Sequence, residues 1–349
     1  MSDKGDLYVD GPAKGVKARI LLTHFEGSMD AGGAGALSVS QILGATPSER
    51  VATFDTDALV DYRSHRPIVT VRDWVTQEMD IPEIALDLVH DDVGESLLVL
   101  HGPEPDAKWD QFAQTIIELA KESGVEIAFS LTGIPSGVPH TRPTPVHVHA
   151  TDSDLLPEQP KMAGTMQFPA SVEIYLTTRL SEEGIAGMNL LASVPYYMTE
   201  NAYPAAASAL LVRLGQLAHL ALPVGDLERG ASEDMEQVQA LIDQNPEVGH
   251  TIEALEHHFD AIDGANPAAL TQTRDASLNT TSDDIVGAIE AYLASREQIR
   301  TLKQQGSSSL EGTATPSTAH VDTLEDVFRR LRNKERGQGN GTHRPRHSS

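Results

Sequence analysis

Four turns hold most of the side chains that could do chemistry. The first, His24-Phe25-Glu26-Gly27-Ser28-Met29-Asp30-Ala31-Gly32-Gly33, joins a strand-like run to a glycine-rich helix start. Backbone N–H groups at such a start can hold an anion. Glu26 and Asp30 would repel a phosphate, however, and Gly32, Gly33 and Gly35 do not fit the dinucleotide spacing G-x-G-x-x-G. The competing reading is Asp30 as a helix N-cap, with small residues for close helix–sheet packing. The second turn runs from Phe54 to Pro67 and carries Asp55, Asp57, Asp61, Tyr62, Arg63, His65 and Arg66. Arg63 and Arg66 could grip a carboxylate or phosphate bidentately while the Asp residues orient a polar ligand or metal. Alternatively, the adjacent opposite charges pair with each other and pin a loop or a subunit contact.

The third turn, Gly102-Pro103-Glu104-Pro105-Asp106, leads to Trp109. A carboxylate beside an indole would have a raised pKa and could act as a general acid or base. Otherwise the segment is a rigid turn, a cap and a packed Trp. The fourth turn, Gly133 to Pro145, has four prolines and two glycines and presents His140 and Arg142 rigidly, as suits anion binding. It also reads as a stiff connection between strands. If the turns converge, Glu26, Asp30, Asp55, Asp57, Tyr62, Arg63, Arg66, Glu104, His140 and Arg142 line one candidate pocket.

Stronger signatures are missing. The chain has no G-x-x-x-x-G-K-[ST], no G-x-S-x-G and no H-E-x-x-H. His147-x-His149 places two rings on one face of a strand, but no third ligand can be named, and His257-His258 on a helix point apart. No metal and no cofactor is expected.

The elements that would position these turns follow from hydrophobic periodicity. Strand-like runs fall at 18–25, 50–54, 84–91, 96–102, 125–134, 145–151 and 189–195. Helical patterns fall at 29–44, at 106–124 with Asp106 as N-cap and Gly124 as stop, and at 203–220 with Pro204 at the first position. Residues 171–180 fit either type. Alternation of this kind predicts an α/β core over 1–222, with a largely parallel sheet between helices and ligands at the strand ends. Residues 223–304 carry helical stripes alone (Met235, Val238, Leu241, Ile242; then Val248, Ile252, Leu255, Phe259) and read as a helical appendage. A flexible linker is expected at 305–318, followed at 319–349 by a short amphipathic helix and a basic disordered tail. Deleting 305–349 should leave folding intact.

Composition narrows the function classes. The 349 residues include no Cys, which excludes disulfides, Cys–zinc sites and thiol nucleophiles. No apolar run is long enough to span a bilayer, and the N-terminus lacks a secretory apolar region, so a cytoplasmic protein is expected. The net charge of −25 argues against nucleic-acid binding. It is unevenly spread: seven Lys/Arg against one Glu make residues 329–349 basic, leaving the rest at −31. Such a body does not steer anions towards itself.

Taken in order, LLTHFEGSMDAGGAG, FDTDALVDYRSHRP, LHGPEPDAKWDQF, GIPSGVPHTRPTPVHVHAT and VPYYMTENAYPAAASALL resemble the proteasome assembly chaperone family, in its long actinobacterial-type members. LPVGDLE and IEALEHHFDA are similar to the family's helical C-terminal part, so the likeness covers roughly residues 17–262. The resemblance implies a three-layer α/β/α sandwich like that of purine nucleoside phosphorylases and related hydrolases. It also implies homo-oligomerisation and a role in building or binding proteasome rings. Family members that dock on proteasomes often end in a hydrophobic–Tyr–any-residue tail, whereas this sequence ends Arg346-His347-Ser348-Ser349. The expected function is a non-enzymatic, assembly-chaperone-like or scaffold protein. The alternative is a hydrolase- or phosphorylase-like enzyme or small-molecule sensor using the strand-end loops. The apolar stripes beyond residue 230 add to the expectation of a homo-oligomer.

Overall fold

The computed structural model describes residues 7–160, 164–242 and 246–265. The expected linker, terminal helix and basic tail, and the appendage from 266 to 304, lie outside these residues. Each buried strand is apolar on both sides, as a sheet covered on two faces requires. In β2 (Ile20–Glu26), Ile20 and Leu22 face one layer while Leu21 and Phe25 face the other. β7 (Ser96–Pro103) divides the same way, with Leu97 and Val99 against Leu98 and Leu100. The remaining strands of this sheet are β1 (Tyr8–Asp10), β3 (Ser48–Phe54), β6 (Ala85–His90), β8 (Ile127–Ser136), β9 (Val146–Ala150) and β10 (Ala186–Pro195). A second, two-stranded sheet is formed by β4 (Ile68–Arg72) and β5 (Val75–Asp80).

The main sheet has the order β1-β3-β6-β7-β2-β8-β10-β9. Its four central strands, β7, β2, β8 and β10, are mutually parallel. The outer pairings β1–β3, β3–β6, β6–β7 and β10–β9 are antiparallel. The expected largely parallel sheet is therefore a mixed one, with a parallel centre.

Helices cover both faces. α1 (Ala34–Ala45) and α5 (Pro204–Ala218) pack on one side; α3 (Trp109–Ser123) and α4 (Val172–Glu182) pack on the other. A single turn, α2 (Thr56–Leu59), follows β3. Segment 171–180 is helical, and α3 starts three residues later than Asp106, whose carboxylate instead accepts from the Asp61 N–H at 2.7 Å. Gly124 ends α3 in the left-handed conformation, and Pro204 opens α5. α6 (Gly225–Ile242) and α7 (Pro246–Ala265) pack against the α1/α5 face, where Leu227, Val238, Ile252 and Leu255 join the buried core.

The glycine-rich entry to α1 is explained by contact. A Cβ on Gly133 of β8 would lie 2.0 Å from the Ala31 carbonyl oxygen, and one on Gly35 would lie 2.3 Å from that of Leu131. Only hydrogen at both positions lets the first turn of α1 sit directly on the strand.

Candidate functional site

Parallel strands end on one edge of a sheet, and the four turns leave it there, after β2, β3, β7 and β8. Asp30 locks the first turn. Its Oδ1 accepts from the N–H groups of Gly35 (3.0 Å) and Gly133 (2.7 Å), and its Oδ2 accepts from Ala36 (3.1 Å). One carboxylate thus caps α1 and ties it to β8, in the position where negative charge meets a helix N-terminus favourably. Buried His24 donates through Nδ1 to the Leu131 carbonyl at 3.2 Å, and its Nε2 lies 3.8 Å from Asp30. Glu26 is exposed at the end of β2, where its carbonyl accepts from the Glu104 N–H at 2.7 Å.

Glu104 and Glu173 hold α4 to the strand tips. Glu104 accepts from the Val172 N–H at 2.7 Å, and Glu173 accepts from the Phe25 N–H at 2.9 Å. Burial raises the pKa of Glu104; the Val172 bond opposes this, and the charges of Glu173 and Asp106 reinforce it. Trp109 donates to the Pro105 carbonyl at 2.5 Å and packs on Tyr175, so it shapes the turn. His65 reaches this group: a Cβ on Gly27 would stand 3.0 Å from its ring and 3.7 Å from Glu104.

The second turn is largely self-contained. Asp55 caps α2 by accepting from the Ala58 N–H. Tyr62 donates to Asp57 at 2.7 Å, and that bond raises the phenol's pKa. Arg63 pairs with Asp61 at 3.0 Å. Arg66 is exposed at the base of β4.

His140 and Arg142 turn towards the helical layer. The Tyr197 hydroxyl accepts from the His140 N–H (3.0 Å) and is hydrogen-bonded to its ring Nδ1 (2.8 Å). The other ring nitrogen, Nε2, is buried without a partner beside a recess lined by Tyr203, Pro204, Met235 and Val238. Burial lowers the His140 pKa to about 4. Arg142 binds Asp260 bidentately at 2.8 and 2.7 Å and Glu256 at 3.3 Å, while Thr141 also bonds Glu256. Both acids belong to α7.

The structure thus joins Glu26 with Glu104, Asp57 with Tyr62, and Arg142 with α7, while Arg63 turns back on Asp61. The candidate pocket read from the sequence omits His24, His65, Glu173 and Tyr197. Glu173 is the hardest of these to find, since a Glu in a helix usually faces solvent. On β9, exposed His149 meets the Asn189 amide at 3.3 Å, and burial lowers the pKa of His147. Among the described residues, no cluster of three or more His, Asp or Glu is placed to hold a metal, and no helix is long and apolar enough to cross a membrane.

Comparison with known proteins fits this geometry. No curated protein matches the chain. Among solved structures it is similar to Rv2714, a Mycobacterium tuberculosis protein of unknown function, with 33% identity and a TM-score of 0.70 over 76% of this chain and 92% of that one. A protein of unknown function from Corynebacterium glutamicum is 32% identical, with a TM-score of 0.69 over 73% of this chain and 97% of its own. The M. tuberculosis proteasome-assembly chaperone homologue Rv2125 shares the fold at 22% identity and a TM-score of 0.60, over 67% of this chain and 99% of its own. The model of the PAC2 family matches residues 24–242, well over half of the sequence, and the chain belongs to that family.

Proposed function

We propose that this protein is an assembly-chaperone-like scaffold, acting in the cytoplasm through protein–protein contacts, with unassembled proteasome subunits as its partner class. One observation carries the reading. Four charged groups at the strand tips hold loops and helices in place: Asp30 binds three backbone N–H groups, Glu104 and Glu173 one each, and Arg142 two acids of α7. An edge braced in this way suits a fixed docking surface. Membership of the PAC2 family and the likeness to a proteasome-assembly chaperone homologue support the choice of partner.

The test mixes the purified full chain with separately purified proteasome α and β subunits and follows ring formation by native mass spectrometry. A complex with free subunits and faster appearance of complete rings are expected. Absence of any complex, with unchanged ring assembly, would sink the proposal. A second reading, a small-molecule sensor, rests on the unpartnered Nε2 of His140 beside its recess. Ligand-dependent protection of His140 from diethylpyrocarbonate would favour it.

A further inference from the structure

The eight-stranded sheet has two edges, and they are kept in different ways. β1 has three residues, and a strand so short offers little to pair with. β9 is longer. It reads Val146-His147-Val148-His149-Ala150, with no Lys, Arg, Asp or Glu to discourage a neighbour, and its two valines favour extended backbone. Among the described residues, no further strand lies beyond it.

Register tells which backbone groups point outwards. β9 lies antiparallel to β10 with Val148 opposite Leu190. Two bonds at its ends, from the Ser193 N–H to the Pro145 carbonyl and from the Thr151 N–H to the Gly187 carbonyl, assign the odd-numbered residues to hydrogen-bonded pairs with β10. In an antiparallel pair such residues alternate with ones whose N–H and C=O both turn away. Val146, Val148 and Ala150 therefore present their backbone groups to the open side.

At the centre of that side sits Gln159. Its Oε1 accepts from the Val148 N–H at 2.9 Å, and its Nε2 donates to the Val148 carbonyl at 2.7 Å. An antiparallel strand would satisfy Val148 in the same manner, with the N–H and C=O of one residue. Among side chains, only the carboxamides of Asn and Gln carry a donor and an acceptor in the planar order of a peptide group. The neighbouring backbone is poorly suited to the task, because Pro157 and Pro160 flank the position and have no N–H.

We propose that β9 is a strand-accepting edge that Gln159 keeps closed. The side chain stands in for one residue of a ninth strand. An extended, uncharged segment of another chain, pairing antiparallel along Val146–Ala150, must first displace it. Main-chain bonds would carry such pairing, so a segment is selected by extended conformation and lack of charge more than by its particular sequence.

Two measurements on the full-length chain test this. In residue-resolved hydrogen exchange, the Val148 amide should be protected while those of Val146 and Ala150, which turn the same way, exchange at least about 10-fold faster; Q159A should bring Val148 to their level. The second probe is a labelled peptide with the sequence of residues 145–151, which can lie antiparallel on β9 with Val148 against its own copy. By fluorescence anisotropy Q159A should bind it at least about 10-fold more tightly than wild type does. The same peptide N-methylated at the copy of Val148 has no N–H to donate there and should not bind. Equal protection of all three amides in the wild type would overturn the proposal, since something other than Gln159 would then cover the edge. So would a folded Q159A that binds the peptide no better than wild type, or one that binds the N-methylated peptide equally well. If Q159A does not fold, the exchange pattern of the wild type decides alone. Neither readout uses a proteasome subunit, so the scaffold reading and this one fail separately.

Discussion

Lowering the pH from 7 to 5 should weaken this fold in a part that can be assigned to His140. Burial holds its folded pKa at about 4, against 6.5 for an ordinary imidazole. Because the folded value is the lower one, the unfolded chain takes up the proton first as the pH falls. Stability is therefore full above 6.5, declines as the pH drops through 6.5, and stops declining below about 4. Between pH 7 and 5 the loss amounts to about 2 kcal/mol, at about 1.4 kcal/mol per pH unit below 6.5. Other groups titrate in the same range, so the assay compares wild type with H140Q. The substituted glutamine has no proton to gain, and its amide can still meet the Tyr197 hydroxyl. Urea denaturation at both pH values should show the wild type losing about 2 kcal/mol more than the variant. Equal losses would mean that His140 is not held neutral by its surroundings, and the recess beside it would have to be more open to water than its burial implies.

Three further outcomes follow from the braced edge. D30A strands three backbone donors and should cost about 3–5 kcal/mol in thermal or urea unfolding, with D30N costing less because its amide oxygen still serves Gly35 and Gly133. G133A forces a methyl group against the Ala31 carbonyl and should cost about 3 kcal/mol; an unchanged melting temperature would show that α1 can back away from β8. R142A should raise hydrogen exchange across residues 246–265 while barely moving the main melting transition, because its ion pairs are partly exposed and bind α7 locally; undiminished protection of α7 would count against that.

Much of the fold is legible where burial writes a pattern. The strands around residues 20, 98, 129 and 190 are near-continuous apolar runs, and α3 carries a clear stripe. What is not legible has other causes. The β4–β5 hairpin faces solvent on both sides, so no inward face alternates along it, and its turn, Asp73-Trp74, has Trp where Gly is usual. Segment 171–180 is ambiguous in sequence because Glu104, 68 residues from Val172, helps start its helix. Asp106 has the composition of a cap, yet long-range geometry gives its carboxylate to Asp61. At the site, the unusual turns are visible as residues, but their partners are not: Arg142 meets acids of α7, and nothing local in the sequence announces a pairing over 118 positions.

The two tryptophans sit in opposed surroundings. Trp74 stands bare at the tip of the β4–β5 hairpin, while the Trp109 indole is tied to Pro105 and lies tilted against Tyr175. The protein accordingly carries its own optical reporter. A soluble quencher should reach the first emitter and largely spare the second, and anything that shelters the hairpin tip should shift only the red part of the emission. Contact at that tip could thus be watched in the unmodified chain, without a label.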